Sequence, residues 1–382
     1  MAKVRTVFIL GAGFSYYAGL PLQSDFTREL LRSRDSREGP SNALTKELDR
    51  FVHVTFGCPK DAHPDAYPEL EDIFTNIDLA ANTGHYLGKE YDPKLLRRTR
   101  RVLISRIIRM LGKAFDDGRT VISRERTLLR KFLSQIDVER SEFISLNWDT
   151  VVESILEEIN LPLFVNYGSG ILAHHLRGRE LVKDAGERNP KLLLCKMHGS
   201  INWLYCENCR RVFSLPVNSW SSIAAQVLKQ DEQKYLYRTT LGERILCPAC
   251  ESVDLGIRLA TFSYQKALNF PMFDYAWQEA GNALNRADKW VFIGYSLPDA
   301  DFHFKFLLKR SQIARRIPPE IHVVTGGKKG TATVESYRKF FGAGSLHVHY
   351  TGLSQPVIDF ITSTTWHKTQ SRIKRLIPKR SS

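Results

Sequence analysis

The apolar run from Val4 to Leu10, which ends at Gly11-Ala12-Gly13, constrains the fold more than any other feature of this sequence. A short apolar run that enters a glycine turn is typical of a buried parallel strand, because helices cover both faces of parallel sheets. From Ser15 onward the sequence is typical of a helix. We therefore predict a strand, a tight turn and a helix at the start of the chain.

Short apolar runs alternate with longer helical stretches along the rest of the chain. Further strands are predicted at 142–146, 191–196, 290–293 and 321–325. This alternation predicts the α/β class with a Rossmann-type, doubly wound parallel sheet. Residues of about 33–138 are charged and favour helix, so we interpret them as a helical insertion.

The charge balance favours anionic partners. Among 382 residues, 55 Lys and Arg face 41 Asp and Glu, a net charge of +14. Nucleic acid, a polyphosphate cofactor or an acidic protein surface would suit such an excess. The arginine-rich segment from Arg97 to Arg109 and the basic tail 367–382 concentrate the charge, although solvated faces would give the same pattern. Neither segment is interleaved with the aromatic residues that are typical of a single-strand binding groove. Charge alone does not identify a nucleic-acid site, so direct nucleic-acid binding stays an open question.

The cysteines predict a metal site. Cys206, Cys209, Cys247 and Cys250 form two Cys-x-x-Cys pairs that can close a tetrahedral thiolate site around zinc. The first apolar run is too short for a signal peptide or a membrane span, so we expect a cytoplasmic protein that does not engage a membrane. In a reducing cytosol metal binding is favoured over disulfides, and a redox role for the pairs is the alternative. The predicted cysteine module spans about 205–250.

Polar residues follow several of the predicted strands directly. Asn147 and Asp149 follow one strand, His198 follows another, and Gly294 and Ser296 follow a third. Ligands bind at the carboxyl edge of an open parallel sheet, and histidine can act there as a general base near neutral pH. Simpler interpretations are open as well, since Asp149 could cap the next helix and the early glycines could only make a turn.

Taken in order, these segments resemble the sirtuin-like NAD-binding family, over roughly residues 1–30 and 140–350. The resemblance implies that Asn147 would contact the nicotinamide ribose and position a water, Asp149 would bind the carboxamide, and His198 would act as the general base. It also implies two sets of cofactor-binding residues, at the pyrophosphate (Gly11, Ala12, Gly13, Ser15) and on the adenosine side (Gly294, Ser296, Leu297).

Two departures bear on the reaction that the resemblance implies. Protein-deacylating sirtuins have glutamine at the position of Leu146, and they carry a Phe-Gly-Glu strand where this chain has Leu259 to Gln265. The sequence of residues 294–301 and the helical insertion instead resemble those of bacterial sirtuin-like proteins of antiphage defence, which tend to hydrolyse NAD⁺. The resemblance thus implies an NAD⁺ glycohydrolase that depletes NAD⁺, with structural Zn²⁺. A protein-lysine deacylase and a non-catalytic NAD⁺ or ADP-ribose sensor are the alternatives.

The expected organisation is one sirtuin-like domain over residues 1–366 followed by the basic tail. An enzyme that empties the NAD⁺ pool must be held inactive, so we expect a homo-oligomer. The resemblance also implies a separately encoded partner, such as a helicase-like ATPase or an Argonaute. We expect the arginines between Arg97 and Arg109 to make salt-sensitive contacts in such an assembly.

Overall fold

A computed structural model describes residues 4–32, 40–59, 66–120, 123–161, 164–168, 170–184, 191–237, 244–259, 271–326, 330–342 and 346–363. The strands are β1 (Thr6–Leu10), β2 (Ser141–Ser145), β3 (Phe164–Asn166), β4 (Ile171–Arg177), β5 (Glu180–Lys183), β6 (Lys191–Lys196), β7 (Trp203–Cys206), β8 (Val212–Ser214), β9 (Leu255–Gly256), β10 (Lys289–Ile293), β11 (Glu320–Val324) and β12 (Leu346–His349). The helices are α1 (Ala12–Tyr16), α2 (Gln23–Leu31), α3 (Pro40–Phe56), α4 (Leu70–Thr83), α5 (Pro93–Thr120), α6 (Arg124–Ser134), α7 (Val151–Glu158), α8 (Trp220–Val227), α9 (Gln230–Tyr237), α10 (Pro271–Arg286), α11 (Phe302–Ile313), α12 (Gly330–Phe341) and α13 (Gln355–Thr362).

The main sheet has seven strands in the order β12-β11-β10-β1-β2-β6-β3, and every pairing is parallel. The chain winds outward from β1 to one edge through β2 and then to the other through β10. Leu10 is in register with both Ser145 and Ile293, so these three strands end at one level. The reversal of winding beside β1 leaves a crevice at the carboxyl ends of the central strands. The predicted fold class is confirmed.

Side chains of β1 alternate between two hydrophobic cores, as the period of two in a strand requires. Phe8 and Leu10 pack into the larger core with residues of α6, α7 and α13. Val7 and Ile9 pack into the second core with residues of α10, α11 and α12. Helices therefore cover both faces, which is why β1 is apolar at four consecutive positions, Val7 to Leu10, rather than at alternate ones.

The first helix begins earlier than the sequence suggested. α1 starts at Ala12 with Gly11 as its N-cap, whereas the predicted helix began at Ser15. The reason is that the turn after β1 is itself helical: the N–H of Phe14 donates to the carbonyl of Gly11 at 2.9 Å. Ser15 consequently lies inside the helix and is not its cap.

Helices α3 to α6 lie between α2 and β2, and α5 carries the arginine-rich segment. These arginines are occupied within the molecule. Four bond to partners on α3, α4 and α9, and Arg106 is buried: the partners are Ala81 O (Arg97), Glu47 (Arg98), Asp78 (Arg100), Glu232 (Arg101), and Leu30 O with Thr45 Oγ1 (Arg106). These contacts tie the segment to other parts of the chain, and its expected salt-sensitive contacts with a partner stay a prediction.

The cysteine module is larger than its sequence pattern indicated. A second sheet of order β5-β4-β8-β7-β9 extends it, and α8 and α9 lie between its two cysteine pairs. α8 packs along α5: the Trp220 ring lies against Gly112, and its Nε1 donates to Asp116 at 2.9 Å. The cysteine module thus packs against the helical insertion. Neither of the two segments predicts this contact from its own sequence.

No helix among the described residues is both long enough and apolar enough to cross a membrane. The basic tail 367–382 and residues 260–265, where the sequence lacks the peptide-pairing signature, lie outside the described ranges.

Candidate functional site

A cavity of about 780 Å³ opens at the carboxyl ends of β1, β2, β6 and β10. It brings together residues that lie as far apart in sequence as Gly11 and Ser296. Nearly all residues predicted for the cofactor and the chemistry line it: Gly11, Ala12, Gly13, Ser15, Asn147, Asp149, His198, Gly294 and Ser296. Leu297 is buried beside the cavity and does not line it.

The glycines of the first loop allow two loops to touch. A Cβ on Gly11 would lie 2.6 Å from the carbonyl oxygen of Gly294, and one on Gly294 would lie 2.4 Å from the carbonyl carbon of Gly13. The N–H of Gly13 donates to Gly294 O at 2.9 Å and that of Gly11 to Ile293 O at 3.1 Å. Both amides thus donate hydrogen bonds within the protein, and the glycines shape the floor of the cavity. An anion bound there would have to accept hydrogen bonds from other groups.

Ser15, Asn147 and Asp149 form one hydrogen-bonded network. Asn147 Nδ2 donates to Gly11 O at 2.9 Å and to Ser15 Oγ at 2.8 Å, and Ser15 Oγ donates to Asp149 Oδ2 at 2.6 Å. A carbonyl oxygen can only accept, so the contact with Gly11 fixes which end of the amide is nitrogen. Asn147 Oδ1 is left as the acceptor of this side chain, a group that suits a water or a hydroxyl.

Asp149 is held from two further directions. Its Oδ1 accepts the N–H of Val151 at 3.1 Å, so Asp149 does support the start of α7 as well as lining the cavity. Its backbone carbonyl accepts a hydrogen bond from Lys196 Nζ. Lys196 is 1% exposed and also lies 3.6 Å from Glu153 Oε1. A buried ammonium that is paired in this way orients the loop after β2.

His198 presents one ring nitrogen as a base. Its Nδ1 lies 3.0 Å from the carbonyl oxygen of Leu146, which can only accept, so Nδ1 carries the proton. In the neutral ring Nε2 is then the basic nitrogen. Nε2 lies 3.7 Å from Oδ1 of Asp301, and the two side chains are 3% and 8% exposed. Tyr295 donates its hydroxyl to the other oxygen of Asp301 at 2.9 Å.

Sequence reasoning did not select Asp301 or Lys196. Asp301 follows the loop of Gly294 and Ser296, which the sequence did identify. Because it directly precedes a predicted helix, its ordinary interpretation is a residue at the start of that helix. Only the crossing of the loops after β6 and β10 shows that its carboxylate faces His198. Lys196 ends a predicted strand, where a surface lysine is the ordinary interpretation.

The backbone at Leu297 is strained. Leu297 has φ 56°, in the left-handed region that a leucine rarely adopts, and its side chain is buried. Such residues cost on the order of 1 kcal/mol or more and concentrate at ligand-binding loops. Here the strained peptide holds Ser296 and Pro298 against the cavity.

The helical insertion also contributes to the cavity wall. Glu69, Glu71 and Glu125 line it, and Gln23 Nε2 donates to Glu71 Oε1 at 2.9 Å. These glutamates could not be selected from the sequence, because none of them belongs to a strand end. The insertion therefore narrows access to the cavity from one side.

The four cysteines of the module form a site that fits zinc. Their ligand atoms all lie within 4.8 Å of one another, and the Sγ–Sγ separations are 3.6 Å for Cys206–Cys250 and for Cys209–Cys247. Zn–S bonds of ~2.3 Å in a tetrahedron give S–S separations of about 3.8 Å, whereas a disulfide needs about 2.05 Å. The backbone N–H of Ser252 lowers the pKa of Cys250 to about 6, whereas burial raises the pKa of Cys206 and of Cys247 above that of an ordinary thiol.

No protein-family model and no curated protein match the sequence. Solved structures do match at low similarity. A Sir2 complex with a p53 peptide and NAD⁺ is 13% identical with a TM-score of 0.35, covering 94% of this chain and 91% of that one. A structure on sirtuin substrate affinity is 12% identical with a TM-score of 0.36 and the same coverage. A structure on the mechanism and regulation of Sir2 enzymes is 13% identical with a TM-score of 0.32.

Proposed function

We propose that this chain is an NAD⁺ glycohydrolase, which cleaves NAD⁺ to nicotinamide and ADP-ribose. One observation carries the proposal: His198, Asn147 and Asp149 meet two glycine loops in a single cavity at the carboxyl edge of the sheet. The cavity volume of about 780 Å³ is within the range of small-molecule sites. The resemblance of the same residues to the sirtuin-like family supports NAD⁺ as the ligand.

The proposed reaction breaks the bond between C1′ of the ribose and the nicotinamide nitrogen. The bonding electron pair goes to the pyridinium ring, which leaves as neutral nicotinamide, and an oxocarbenium-like ribose takes the oxygen of water. That water must lose one proton. The nicotinamide ring is already cationic in NAD⁺ and therefore leaves readily. Most of the catalysis has to come from positioning the water and the ribose and from stabilising the charge that develops on the ribose.

The residues of the cavity suit these needs. Nε2 of His198 is the nitrogen that would take the proton of the water or of a ribose hydroxyl, since Nδ1 is bonded to Leu146 O at 3.0 Å. Asp301, 3.7 Å away, would stabilise the imidazolium that forms. Asn147 Oδ1 would accept from the attacking water, and Asp149 would hold the carboxamide of the leaving group.

Purified protein mixed with NAD⁺, with and without an acetylated lysine peptide, tests the proposal. Free ADP-ribose without peptide is the expected product. A product that forms only with peptide, O-acetyl-ADP-ribose, would identify a deacylase, and NAD⁺ binding without any product would identify a sensor. His198→Ala is the inactive reference, and His175→Ala, whose imidazole is 47% exposed on β4, is its matched control.

We further propose that the reaction serves antiphage defence by NAD⁺ depletion, in an assembly that keeps the enzyme inactive until it is needed. The expected components are a homo-oligomer and a separately encoded partner such as a helicase-like ATPase or an Argonaute. Several arginines of α5 bond to carboxylates within the chain, so a salt-sensitive contact between them and the partner would compete with these pairs. NAD⁺ levels in cells that express the protein, measured with and without phage infection, would test it.

A further inference from the structure

α11 is apolar on two opposite faces. Phe304, Leu307 and Leu308 point into the core between the helix and the sheet. The opposite face carries three exposed apolar residues: Phe302 is 49% exposed, Phe306 is 67% and Ile313 is 73%. At 3.6 residues per turn these three lie within about 40° of one another on the helix surface and directly across from Phe304 and Leu308. We name this surface the α11 stripe.

A surface helix of a globular protein normally carries polar residues on its outer face. Single exposed apolar residues are ordinary, but a continuous row of large ones marks a contact surface. Phe306 and Ile313 are among the most exposed large apolar side chains of the described residues. The core does not need them, so their apolar character is unexplained within one chain.

Basic residues flank the α11 stripe on both sides. Lys305 and Lys309 lie along one side of it and Arg310 along the other. From Phe302 to Pro319 the chain contains five basic residues and no acidic one, the remaining two being Arg315 and Arg316. A partner that covers the stripe must therefore present apolar side chains bordered by negative charge.

We propose that the α11 stripe is a docking site for an acidic, amphipathic segment of a partner protein, in the manner of a helix packed on a helix. A second copy of this chain is a poor occupant, because pairing two stripes would bring two clusters of excess positive charge together, even though Lys305 is paired with Asp299 at 2.9 Å. Lys309 Nζ is bonded to Gln312 at 2.9 Å and to the carbonyl of Phe340, so it is drawn along the protein surface and away from the plane of a membrane.

The position of the stripe gives the docking a route to the cavity. Phe302 directly follows Asp301, whose carboxylate lies 3.7 Å from Nε2 of His198. A partner that contacts Phe302 touches the residue next to the proposed catalytic pair. This consequence rests on the proposed function, whereas the docking itself does not.

Binding of a synthetic peptide tests the docking without any turnover. The probe is a fluorescent helical peptide of about five turns with leucines on one face and glutamates beside them, and its twin carries lysines in place of the glutamates. We expect the acidic peptide to bind the whole protein with a Kd on the order of 10 μM or tighter, and the basic twin at least about tenfold more weakly. Phe306→Ser should weaken the acidic peptide at least about tenfold, because exposed aromatic anchors dominate such contacts. Tyr86→Ser, at a similarly exposed aromatic residue elsewhere, should not.

Failure of the acidic peptide to bind, or equal binding of its basic twin, overturns the proposal. Three parallel measurements identify other occupants and would overturn it too. Sedimentation would reveal a dimer that Phe306→Ser dissociates. Vesicles of phosphatidylcholine and phosphatidylserine would retain the protein but not the variant, and a labelled single-stranded oligonucleotide would bind only the protein with Phe306. Failure of NAD⁺ cleavage would leave the peptide result unaffected.

Discussion

Nε2 of His198 lies 3.7 Å from Oδ1 of Asp301, and the two side chains come from loops after strands on opposite sides of β1. Both are almost fully buried at the edge of the cavity. A carboxylate at this distance stabilises an imidazolium, so the pair combines a base with the group that stabilises its protonated form.

Asp301→Asn should therefore reduce NAD⁺ cleavage by on the order of 10- to 100-fold, and His198→Ala by about 100-fold or more. The amide keeps the hydrogen bond with Tyr295 but removes the negative charge. Initial rates of ADP-ribose formation measure both effects. Asp299→Asn, at a fully exposed carboxylate two residues away, is the control and should behave as the parent protein. Unchanged kcat and KM in Asp301→Asn would mean that the carboxylate has no part in the reaction.

Gly294→Ala should destabilise the protein more than Gly342→Ala does. Both glycines have positive φ, 62° and 87°, so both variants carry the backbone strain of about 1 kcal/mol or more. Only at Gly294 would the new Cβ meet another loop, 2.4 Å from Gly13, whereas nothing lies within 4 Å at Gly342. Thermal unfolding measures the difference, which we expect to exceed about 1 kcal/mol. Equal melting temperatures would show that the two loops can separate without cost.

Freshly purified protein should contain about one equivalent of zinc. Cys209→Ser should lower both the zinc content and the unfolding temperature, because a closed thiolate site contributes directly to folding. The second sheet and the contact of Trp220 with α5 depend on this module, so the loss should extend beyond the site. Cys58→Ser, outside the cluster, should keep its zinc. Metal analysis that finds no zinc in the parent protein would contradict the assignment.

Glu158→Gln should lower the free energy of unfolding by on the order of 3 kcal/mol, since it leaves the guanidinium of Arg126 buried without its carboxylate. Arg126 is 2% exposed and bonds to Glu158 at 3.2 Å through Nε, and Arg130 bonds to the same carboxylate at 3.0 Å. Burial alone would raise the pKa of Glu158, but the two arginines lower it overall.

A lowered pKa in the folded state gives a definite sign. The stabilisation by Glu158 is fully present above the unfolded pKa of about 4.3 and is lost as the pH falls through the folded value. Unfolding by denaturant at neutral pH and below pH 4 should therefore show a shrinking difference between parent and Glu158→Gln. Glu139→Gln, at an exposed carboxylate, serves as the comparison and should differ little from the parent at either pH.

The sequence by itself was sufficient to predict the central sheet and its ligand edge. The run from Val7 to Leu10 is apolar at four consecutive positions because both faces of the strand are buried, and such a local pattern can be seen in the sequence alone. The polar residues after these strands, Asn147, Asp149 and His198, share an edge because parallel strands end together. The spacing of the four cysteines was likewise sufficient to predict their site.

Only the tertiary structure decided how charge is used. The arginines of α5 and the carboxylates of Glu47, Asp78 and Glu232 are ordinary surface residues in the sequence. They become partners because α3 and α4 pack against α5 within the insertion and α9 of the cysteine module packs beside them. Asp301 acquires its role in the same way, from a loop that crosses to His198. Such contacts join residues tens to hundreds of positions apart, and no periodicity along the chain encodes which distant charges will meet. Hydrophobic pattern is a local property, whereas electrostatic pairing depends on the folded distance between groups.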